Sequence, residues 1–589
     1  MRLIEIRLLD GPNLYRLEPA VKVEVAVGRR RTWYGQRVPG AHARVDLVRP
    51  VRPIDAPRPI PLLAAWVGRL HRLAGAAAWL VDEGRAPSGG RARIPVTIHR
   101  TSEPGHWIVA FPWREEGRAR AIAEAALALA EAGYDPSTTR PATRRTLGRS
   151  GRSRTLARAL AAIAAADTER PAWIRDAERR IPVISLSGTN GKTTTTRMVG
   201  HILRRAGRHV GSTTSDGVYV DETLVESGDL TGPYGARAVL TRDDVDVAVL
   251  ETARGGIMLR GVGYESDEAA VLTNVTSDHM DLQGIHTLPE LAQVKGVIAR
   301  ITRPDGVVVL NADDDLVAGV ARSVRARVWL FSMRPSSARV RRHLAAGGTA
   351  FVLDGGALVE LEADTRRVIV PVARIPATLG GLALHNVANA LAAAAGARAM
   401  GASIAQVAAG LRSFGADLGE RYGRLDLYRR GDTTVVIDFA HNEAGMAALM
   451  AVGEGLAGGK AARAGKRTLA VILGSAGDRP DDTLRGMGRI AAERADRVVL
   501  KEMLRYLRGR TRESVLGELR AGLAAGGMDP RGVEVEPDEP SAVRATLAAD
   551  GTIADTALPG VLLVLSHEDR TEVIAVLMEL GFAPVVAAA

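Results

Sequence analysis

One segment limits the folds open to this chain of 589 residues more than any other. Ile181 to Leu186 is an apolar run with the composition of a buried strand. Ser187 to Gly191 reads as a turn, and apolar residues then recur at helical spacing from Lys192 to Ala206. A strand, a glycine-bearing turn and a helix that begins with Lys-Thr form the layout of a phosphate-binding loop. The segment therefore predicts an α/β fold built on a parallel sheet.

The residue types in this turn suit a bound nucleotide. Gly188 and Gly191 let backbone N–H groups approach an anion, and the start of the helix adds partial positive charge. Lys192 can reach the terminal phosphates, and Thr193 can hold Mg²⁺. The alternative is an ordinary glycine turn in a doubly wound sheet, which the lysine, the threonines and the flanking elements together disfavour. The predicted nucleotide-binding residues of the turn are Gly188, Thr189, Asn190, Gly191, Lys192, Thr193 and Thr194.

Three further polar residues follow the turn along the chain. A buried strand delivers Glu251 to the sheet edge where open α/β sheets bind ligands, so Glu251 is placed to hold the Mg²⁺ that Thr193 contacts. His279 follows the next predicted strand, and one imidazole among oxygen ligands fits a second metal ion. Lys295 lies on a helix predicted over 288–301. Each residue alone could be an ordinary surface group, but the ordered set after a phosphate loop favours function.

The short form of the loop, Gly188-Thr-Asn-Gly-Lys-Thr193, resembles the loop of Mur ligases, which join amino acids by ATP-driven amide bonds. Leu186 stands where the longer form of the loop has its first glycine. The order of the later polar residues is also similar to the Mur ligase core. The resemblance implies that Glu251 and His279 are metal ligands. It also implies that Lys295 occupies the position that many members carbamylate to gain an extra anionic metal ligand.

The resemblance continues toward the C-terminus. His385-Asn-Val-Ala-Asn389 is similar to a family signature whose first Asn contacts adenine, which implies that role for Asn386. Arg424 matches an arginine that reaches the γ-phosphate, and Asp438 begins a segment that contacts the nucleotide from the C-terminal domain. The catalytic residues that the resemblance implies are Lys192, His279, Lys295 and Arg424.

A narrower resemblance links the chain to the cyanophycin synthetase family. The turn Leu9-Asp-Gly-Pro-Asn13 is loosely similar to that family's N-terminal domain, which helps to hold the growing peptide. The segments Gly477-Asp-Arg479 and Leu507-Arg-Gly-Arg510 are similar as well. That family carries an ATP-grasp domain where this chain has a linker of about 40 residues, too short for a domain. We therefore expect a small α+β substrate-docking domain at 1–145, a linker at 146–180, a central ATP-binding domain at 181–425 and an α/β C-terminal domain at 426–589.

These features predict an ATP-dependent ligase that couples an amino acid to a carboxylate of an acidic amino-acid or peptide acceptor. The expected route passes through an acyl phosphate and releases ADP and phosphate, with Mg²⁺ as the metal. Two alternatives stay open. The chain could complete a cyanophycin-like polymer in trans with a separate ATP-grasp enzyme, or it could be a non-catalytic subunit that binds nucleotide or polymer.

Composition narrows the range of partners. The net charge is +11, and only six of the 78 basic residues are Lys, an arginine bias that we attribute to genome composition. No nucleic-acid recognition motif is present, so we expect no nucleic-acid partner. No apolar stretch approaches the length of a membrane span and the N-terminus lacks a signal-peptide layout. With no Cys, these features predict a cytoplasmic protein without a membrane partner, whose assembly into homo-oligomers the sequence leaves open.

Overall fold

A computed structural model describes most of the chain. It covers residues 1–27, 46–74, 94–138, 151–277, 280, 282–415, 424–458, 468–549, 552–556 and 560–585. Three sheets of four, eleven and seven strands follow one another along these residues, and helices pack against each of them.

The first sheet has four antiparallel strands in the order β1-β2-β4-β3. Alternate residues of β2 and β4 are buried with apolar residues of three helices, which gives this region its own core. The elements are β1 Arg2–Leu9, β2 Ala20–Ala26, α1 Pro59–Leu73, β3 Thr97–Arg100, β4 His106–Pro112, α2 Glu116–Glu131 and α3 Gly151–Ala165.

The second sheet has eleven strands in the order β15-β14-β13-β12-β11-β10-β5-β9-β6-β7-β8. Its strands are β5 Val183–Ser187, β6 Val210–Thr214, β7 Gly217–Val220, β8 Thr223–Ser227, β9 Val247–Glu251, β10 Asp267–Leu272, β11 Thr302–Asn311, β12 Arg327–Ser332, β13 Thr349–Asp354, β14 Ala357–Glu362 and β15 Thr365–Pro371. Its helices are α4 Lys192–Arg205, α5 Pro233–Leu240, α6 Arg254–Leu259, α7 Leu288–Lys295, α8 Val297–Ile301, α9 Asp315–Gly319, α10 Ala338–Ala345, α11 Leu384–Ala399 and α12 Ile404–Ser413.

Both faces of this sheet are covered by helices. Successive residues of β5 and β9 point into two different cores, with Val183 and Ala248 in one and Ile184 and Val249 in the other. A parallel sheet with two buried faces needs near-continuous apolar strands, which is how these segments read. The loops that leave the carboxyl ends of β5, β9 and β10 therefore emerge side by side at one edge of the sheet.

The third sheet has seven strands in the order β20-β19-β18-β23-β17-β16-β24. Its inner strands β17, β23, β18 and β19 are parallel, while β16 runs antiparallel to β17. The strands, with a separate β21–β22 pair, are β16 Arg424–Arg430, β17 Thr433–Asp438, β18 Thr468–Leu473, β19 Arg497–Lys501, β20 Val535–Glu536, β21 Ala548–Ala549, β22 Thr552–Thr556, β23 Gly560–Leu565 and β24 Ala583–Pro584. The helices are α13 Glu443–Leu456, α14 Asp481–Arg494, α15 Arg512–Ala525, α16 Glu539–Leu547 and α17 Arg570–Glu579.

The α/β class predicted from the sequence is confirmed, with two local differences. The central sheet is parallel only in its middle, because hairpins add antiparallel strands at both edges. The single helix expected over 288–301 is wrong, since α7 ends at Lys295 and α8 starts at Val297. Gly296 lies between them with ψ −5°, and glycine weakens a helix interior. Among the described helices, none is both long enough and apolar enough to cross a bilayer.

Candidate active site

The phosphate-binding loop connects β5 to α4 and lies against the end of β10. A Cβ at Gly188 would come within 1.9 Å of Thr273 Oγ1, and one at Gly191, where φ is +82°, within 2.1 Å of Asn389 Oδ1. Both positions therefore require glycine. Asn274 fixes the loop from outside, because its Oδ1 accepts from Asn190 N at 2.9 Å and its Nδ2 donates to Asn190 O at 2.9 Å. The loop is thus held in shape by its neighbours.

The three side chains at the start of α4, those of Lys192, Thr193 and Thr194, make different contacts. Lys192 Nζ turns back and donates to Thr189 O at 2.9 Å, so the ammonium group lies over the loop. Thr193 Oγ1 donates to Glu251 Oε2 at 2.9 Å and lies 3.4 Å from Ser215 Oγ. Thr194 lines the same cavity as these residues. Thr193 and Glu251, which the sequence predicts to share one Mg²⁺, are thus joined by a hydrogen bond.

Glu251 ends β9 and is only 2 % exposed. Burial raises the pKa of this carboxyl above its usual value, while the Lys192 ammonium, the Thr193 hydroxyl and the Arg424 guanidinium act in the opposite direction. A buried carboxylate is costly unless a cation or hydrogen bonds compensate it. Glu251 therefore lies where a bound cation would be favoured, with the Thr193 hydroxyl bonded to it and the Ser215 hydroxyl next to Thr193.

The structure describes only one of the other two predicted metal ligands, Lys295 and His279. Lys295 is 5 % exposed, and its Nζ donates to Gly188 O at 2.6 Å, so the helix α7 brings this ammonium directly to the phosphate loop. His279 lies outside the described residues. Over the part of the chain that the structure describes, no group of three or more His, Asp or Glu side chains is arranged to hold a metal ion.

Arg424 and Asp438 come from the third sheet, where they are register partners on β16 and β17. Asp438 Oδ2 accepts from Leu425 N at 3.0 Å. Burial raises the pKa of Asp438 to about 6, opposed by the Arg424 guanidinium. That guanidinium lies 4.6 Å from the ring centroid of Phe439 and lines one cavity together with Lys192 and Glu251. The third sheet therefore presents an arginine to the phosphate loop of the second.

The two sheets also touch directly at the loop. Asn442 Nδ2 donates to Asn190 Oδ1 at 2.9 Å, while Asn442 Oδ1 caps α13 by accepting from Gly445 N at 2.9 Å. His441 lines the cavity beside this contact. A single side chain thus joins the start of a helix in one sheet domain to the phosphate loop of the other.

A smaller cavity of about 310 Å³ adjoins the loop and contains Asn386. Asn386 Nδ2 donates to Ala377 O at 2.8 Å, and its Oδ1 accepts from Asn389 Nδ2 at 3.1 Å. Asp438 and Arg424 line the cavity from the opposite sheet. The predicted adenine contact and the predicted C-terminal nucleotide contact therefore lie in one pocket next to Gly191.

The main cavity, of about 990 Å³, extends from the loop toward the first sheet. Three arginines of the central domain line it, Arg237 on α5 and Arg254 and Arg260 at the two ends of α6. Arg254 is buried, with its Nη2 donating to Gln283 Oε1 at 2.7 Å. Sequence analysis assigned no role to any of these three arginines.

Residues of the first sheet's region complete this wall. The turn after β1 approaches a turn of the central domain so closely that a Cβ at Gly11 would lie 1.8 Å from Val262 O. Asp10 N donates to Arg260 O at 2.7 Å, and Val262 N donates to Pro12 O at 2.7 Å. The Asp10 carboxylate lines the cavity, 3.9 Å from Arg260 Nη1. Sequence analysis predicted no site residue at 1–145. The contacts between these two turns join residues that are far apart in the chain, so no local pattern indicates them.

A loop of the phosphate-binding type thus faces an arginine from a second α/β domain. Comparison with known proteins identifies the protein family that has this arrangement. The family model for the Mur ligase middle domain matches residues 186–397, and that for the Mur ligase glutamate ligase domain matches residues 423–558. Together they span more than half of the chain. The chain belongs to the Mur ligase family.

Individual relatives show which members of this family the chain resembles. Cyanophycin synthetase of Trichormus variabilis is 42% identical over 344 residues, which are 58% of this chain and 37% of the relative. The chain therefore spans little more than a third of that relative's length. A UDP-N-acetylmuramoyl-L-alanyl-D-glutamate–2,6-diaminopimelate ligase of Gloeobacter violaceus is 27% identical, over 59% of this chain and 66% of the relative. A solved structure of E. coli FolC in complex with ADP aligns with a TM-score of 0.48 at 18% identity, covering 68% of this chain and 88% of that one. The chain thus resembles cyanophycin synthetase over its Mur ligase part.

Proposed function

We propose that this protein is an ATP-dependent ligase that joins the amine of an amino acid to a carboxylate of an amino-acid or peptide acceptor. One observation carries the proposal. Lys192, Thr193 and Glu251 of the central sheet and Arg424 of the third sheet line a single cavity. Phosphoryl transfer needs charge neutralisation and positioning rather than a protein nucleophile, and these four residues supply both.

The residues present suit ATP and a divalent cation. The N–H groups of the loop and the start of α4 favour the phosphates, and the adjoining pocket with Asn386 and Asp438 takes the nucleoside. Thr193 and Glu251 are the residues that would hold Mg²⁺, which usually binds through one or two protein oxygens together with phosphates and water. When bound, the ion supplies positive charge to the phosphate oxygens. His279 and Lys295 stay predicted contributors to this site.

The reaction that we propose has two steps. An oxygen of the acceptor carboxylate attacks the γ-phosphorus, the bond to the β-phosphate oxygen breaks and ADP leaves, while Lys192 and Arg424 hold the phosphate charge. The amine nitrogen then attacks the carbonyl carbon of the acyl phosphate. The C–N bond forms, the C–O bond to phosphate breaks, and the amine gives up one proton as phosphate departs. The protein acts by orienting these groups and excluding water.

The wall of the main cavity supports an acidic acceptor. Arg237, Arg254 and Arg260 line it, and Arg260 Nη1 lies 3.9 Å from the Asp10 carboxylate. Guanidinium groups pair bidentately with carboxylates, so this wall favours an acceptor rich in carboxylates. We infer that residues 1–145 act in substrate docking, that 146–180 link them to the central ATP-binding domain at 181–425, and that 426–589 close the site.

The decisive experiment is ATP hydrolysis by the purified full-length protein that depends on an added amino acid and an acidic peptide. We expect phosphate release without any partner protein. Release only after an ATP-grasp enzyme is added would favour action in trans on a shared polymer. ATP binding without turnover under all conditions would instead favour a non-catalytic subunit.

The variant Lys192→Ala tests the assignment of the loop. Loss of this ammonium should lower amine-dependent phosphate release by about 100-fold or more, because a preorganised charge on the transferring group is lost. Arg205→Ala, at the exposed end of the same helix, is the matched control and should retain activity. Equal turnover by Lys192→Ala and the control would refute the proposed site.

A further inference from the structure

Phe439 and Arg424 lie where the two cavities of the site meet. Both residues line the main cavity and also the smaller pocket that contains Asn386. Gly191 and Thr194 of the phosphate loop line both spaces as well. A nucleotide whose nucleoside part occupies the smaller pocket would therefore extend its last phosphate past Phe439 and Arg424 into the main cavity.

The Arg424 guanidinium lies over the ring of Phe439. Its central carbon is 4.6 Å from the ring centroid, within the range in which the negative face of an aromatic ring attracts a cation. Over the described part of the chain, no carboxylate forms an ion pair with Arg424. A cation–π contact is made to the charge as a whole, whereas phosphate oxygens bind to the N–H groups of a guanidinium. The ring therefore holds the charge in place and leaves N–H donors for a phosphate oxygen.

A β-bulge next to Arg424 constrains the backbone at this point. β16 has one more residue than β17 here, which makes Leu425 the bulged residue, and its φ of +59° lies in the left-handed region that non-glycine residues seldom adopt. Two contacts hold this conformation: Leu425 N donates to Asp438 Oδ2 at 3.0 Å, and the leucine side chain is buried in a core of the third sheet. Strained residues persist where their surroundings determine them, and bulges redirect neighbouring side chains. The bulge therefore supports the orientation of Arg424.

Two histidine rings flank Phe439 and restrict its plane. The ring centroid of His441 lies 5.5 Å from that of Phe439 at 67°, and that of His567 lies 5.0 Å away at 75°. His441 Nδ1 donates to Phe439 O at 3.0 Å. His567 Nε2 donates to Ala440 O at 3.0 Å. Because edge-to-face pairs favour one orientation of a ring, the aromatic group that carries the guanidinium is itself fixed.

We propose that Phe439 is a positioning residue whose ring holds the Arg424 guanidinium in place for the last phosphate of bound ATP. This inference rests on the proposed function, because it takes ATP as the ligand, and it adds the residue that orients the arginine. The contact persists while the N–H groups bind the phosphate, so it favours a triphosphate over a diphosphate. A side chain that is already in place loses less conformational entropy on binding than one that must first be ordered.

Fluorination of the ring tests the contact while the ring itself is kept. Phe439 is replaced by mono-, di- or trifluorophenylalanine, which withdraws electron density from the ring face in steps and weakens its attraction for a cation. For each full-length variant, Kd is measured with Mg²⁺ for ADP and for the non-hydrolysable β,γ-imido analogue of ATP. The ratio of the Kd for ADP to the Kd for the analogue should fall stepwise, by about tenfold over the series. The same replacements of Phe351, which is buried against Trp329, are the control and should leave the ratio unchanged.

The direction of the change in this ratio decides the outcome. A constant ratio over the fluorinated series would overturn the inference, because the ring would then act only as an apolar filler. A rising ratio would overturn it as well, since the ring would then hold the guanidinium away from the phosphate.

Two ordinary substitutions separate the inference from the proposed function. Phe439→Tyr keeps an aromatic face and should retain the ratio and the kcat of amine-dependent phosphate release, whereas Phe439→Leu should lower both about tenfold. Equal ratios in folded Phe439→Leu and Phe439→Tyr would overturn the positioning role. Thermal unfolding shows whether each variant folds, and the fluorinated series, which keeps the ring, decides if Phe439→Leu does not. Absence of phosphate release from the natural protein would overturn the proposed ligase, while the binding ratio would still test the ring.

Discussion

At the scale of the residue, Glu251 combines two opposed properties. It is almost fully buried, and over the described part of the chain it accepts a hydrogen bond from Thr193 and feels the cations Lys192 and Arg424 without a direct ion pair. Burial raises its pKa, so the ionised form is less favourable in the folded protein than in the unfolded chain. The proposed cation site would therefore carry a cost in stability that a bound cation offsets.

Replacing Glu251 by Gln should separate stability from function. Because the folded pKa is raised, stability is lost as the pH rises from the unfolded value of 4.5 through the folded one. Glu251→Gln removes that loss, so without metal at pH 8 its unfolding midpoint should rise by about 2 °C or more. Mg²⁺-dependent phosphate release should fall by about 100-fold. Glu124→Gln, on the exposed face of α2, is the control, and a lower midpoint for Glu251→Gln would contradict the argument.

Asp438 should control the pH dependence of nucleotide binding. Its pKa is raised to about 6, so the carboxylate and its attraction for Arg424 disappear as the pH falls through about 6. The KM for ATP should then increase below pH 6 in the natural protein. In Asp438→Asn it should be high and independent of pH between 5 and 8, about the range in which this carboxyl changes charge. The same increase in the KM for ATP below pH 6 in both proteins would exclude Asp438 as its cause.

At the scale of the element, the turn at residues 10–13 joins the first sheet to the central one. Asn13 holds the turn from inside, with its Nδ2 donating to Gly11 O at 2.9 Å and its Oδ1 accepting from Tyr15 N and Arg16 N at 3.0 Å. Arg300 reaches across from α8 and donates to Asn13 O at 3.3 Å. Leu14 continues into the core of the central sheet. This turn therefore works as a fixed part of the cavity wall.

Gly11→Ala tests the close approach of the two turns. A methyl group there meets Val262 O, so the turns must separate, at a cost of about 1–3 kcal/mol. We expect a lower unfolding midpoint and a higher KM for the acidic acceptor. Gly517→Ala, in the open middle of α15, adds the same methyl group without contact and should slightly stabilise the protein. Equal midpoints in the two variants would show that the turns tolerate the methyl group.

At the scale of the whole molecule, the third sheet contacts the phosphate loop of the second through a side-chain hydrogen bond. The hydrogen bond from Asn442 to Asn190 is one that spans the two domains at the nucleotide. Domain closure of this kind completes a catalytic site and excludes water. The contact gives a direct way to measure how strongly closure and nucleotide binding are coupled.

Asn442→Asp should weaken closure and leave the helix cap intact. The carboxylate still accepts from Gly445 N, but it loses the donor to Asn190 and repels that residue's Oδ1. The KM for ATP should rise several-fold, by about the worth of one hydrogen bond. Small-angle scattering should show a larger radius of gyration for the variant with ATP. An unchanged radius together with an unchanged KM would show that this contact does not control closure.

Much of the architecture could be predicted from the sequence. The strand predicted at 181–186 and the helix predicted at 192–206 lie within two residues of β5 and α4, because an apolar run and a helical period on either side of a turn leave little choice. Interactions distant in sequence could not be predicted. The break at Gly296 and the fold of Lys192 back onto Thr189 depend on tertiary neighbours, and so does the placement of Asp10 beside Arg260. The positions of the site residues followed from local pattern, whereas the walls of the cavity did not.

The main cavity is lined by residues that are far apart in the sequence, since Asp10 and His567 both contribute to it. During translation, the ribosome must pass residue 567 before the last of these side chains emerges. A nascent chain that already carries its phosphate loop would still lack this compartment, in which the proposed acyl phosphate would be shielded from hydrolysis. Order of synthesis therefore delays the proposed chemistry until both sheet domains have been made.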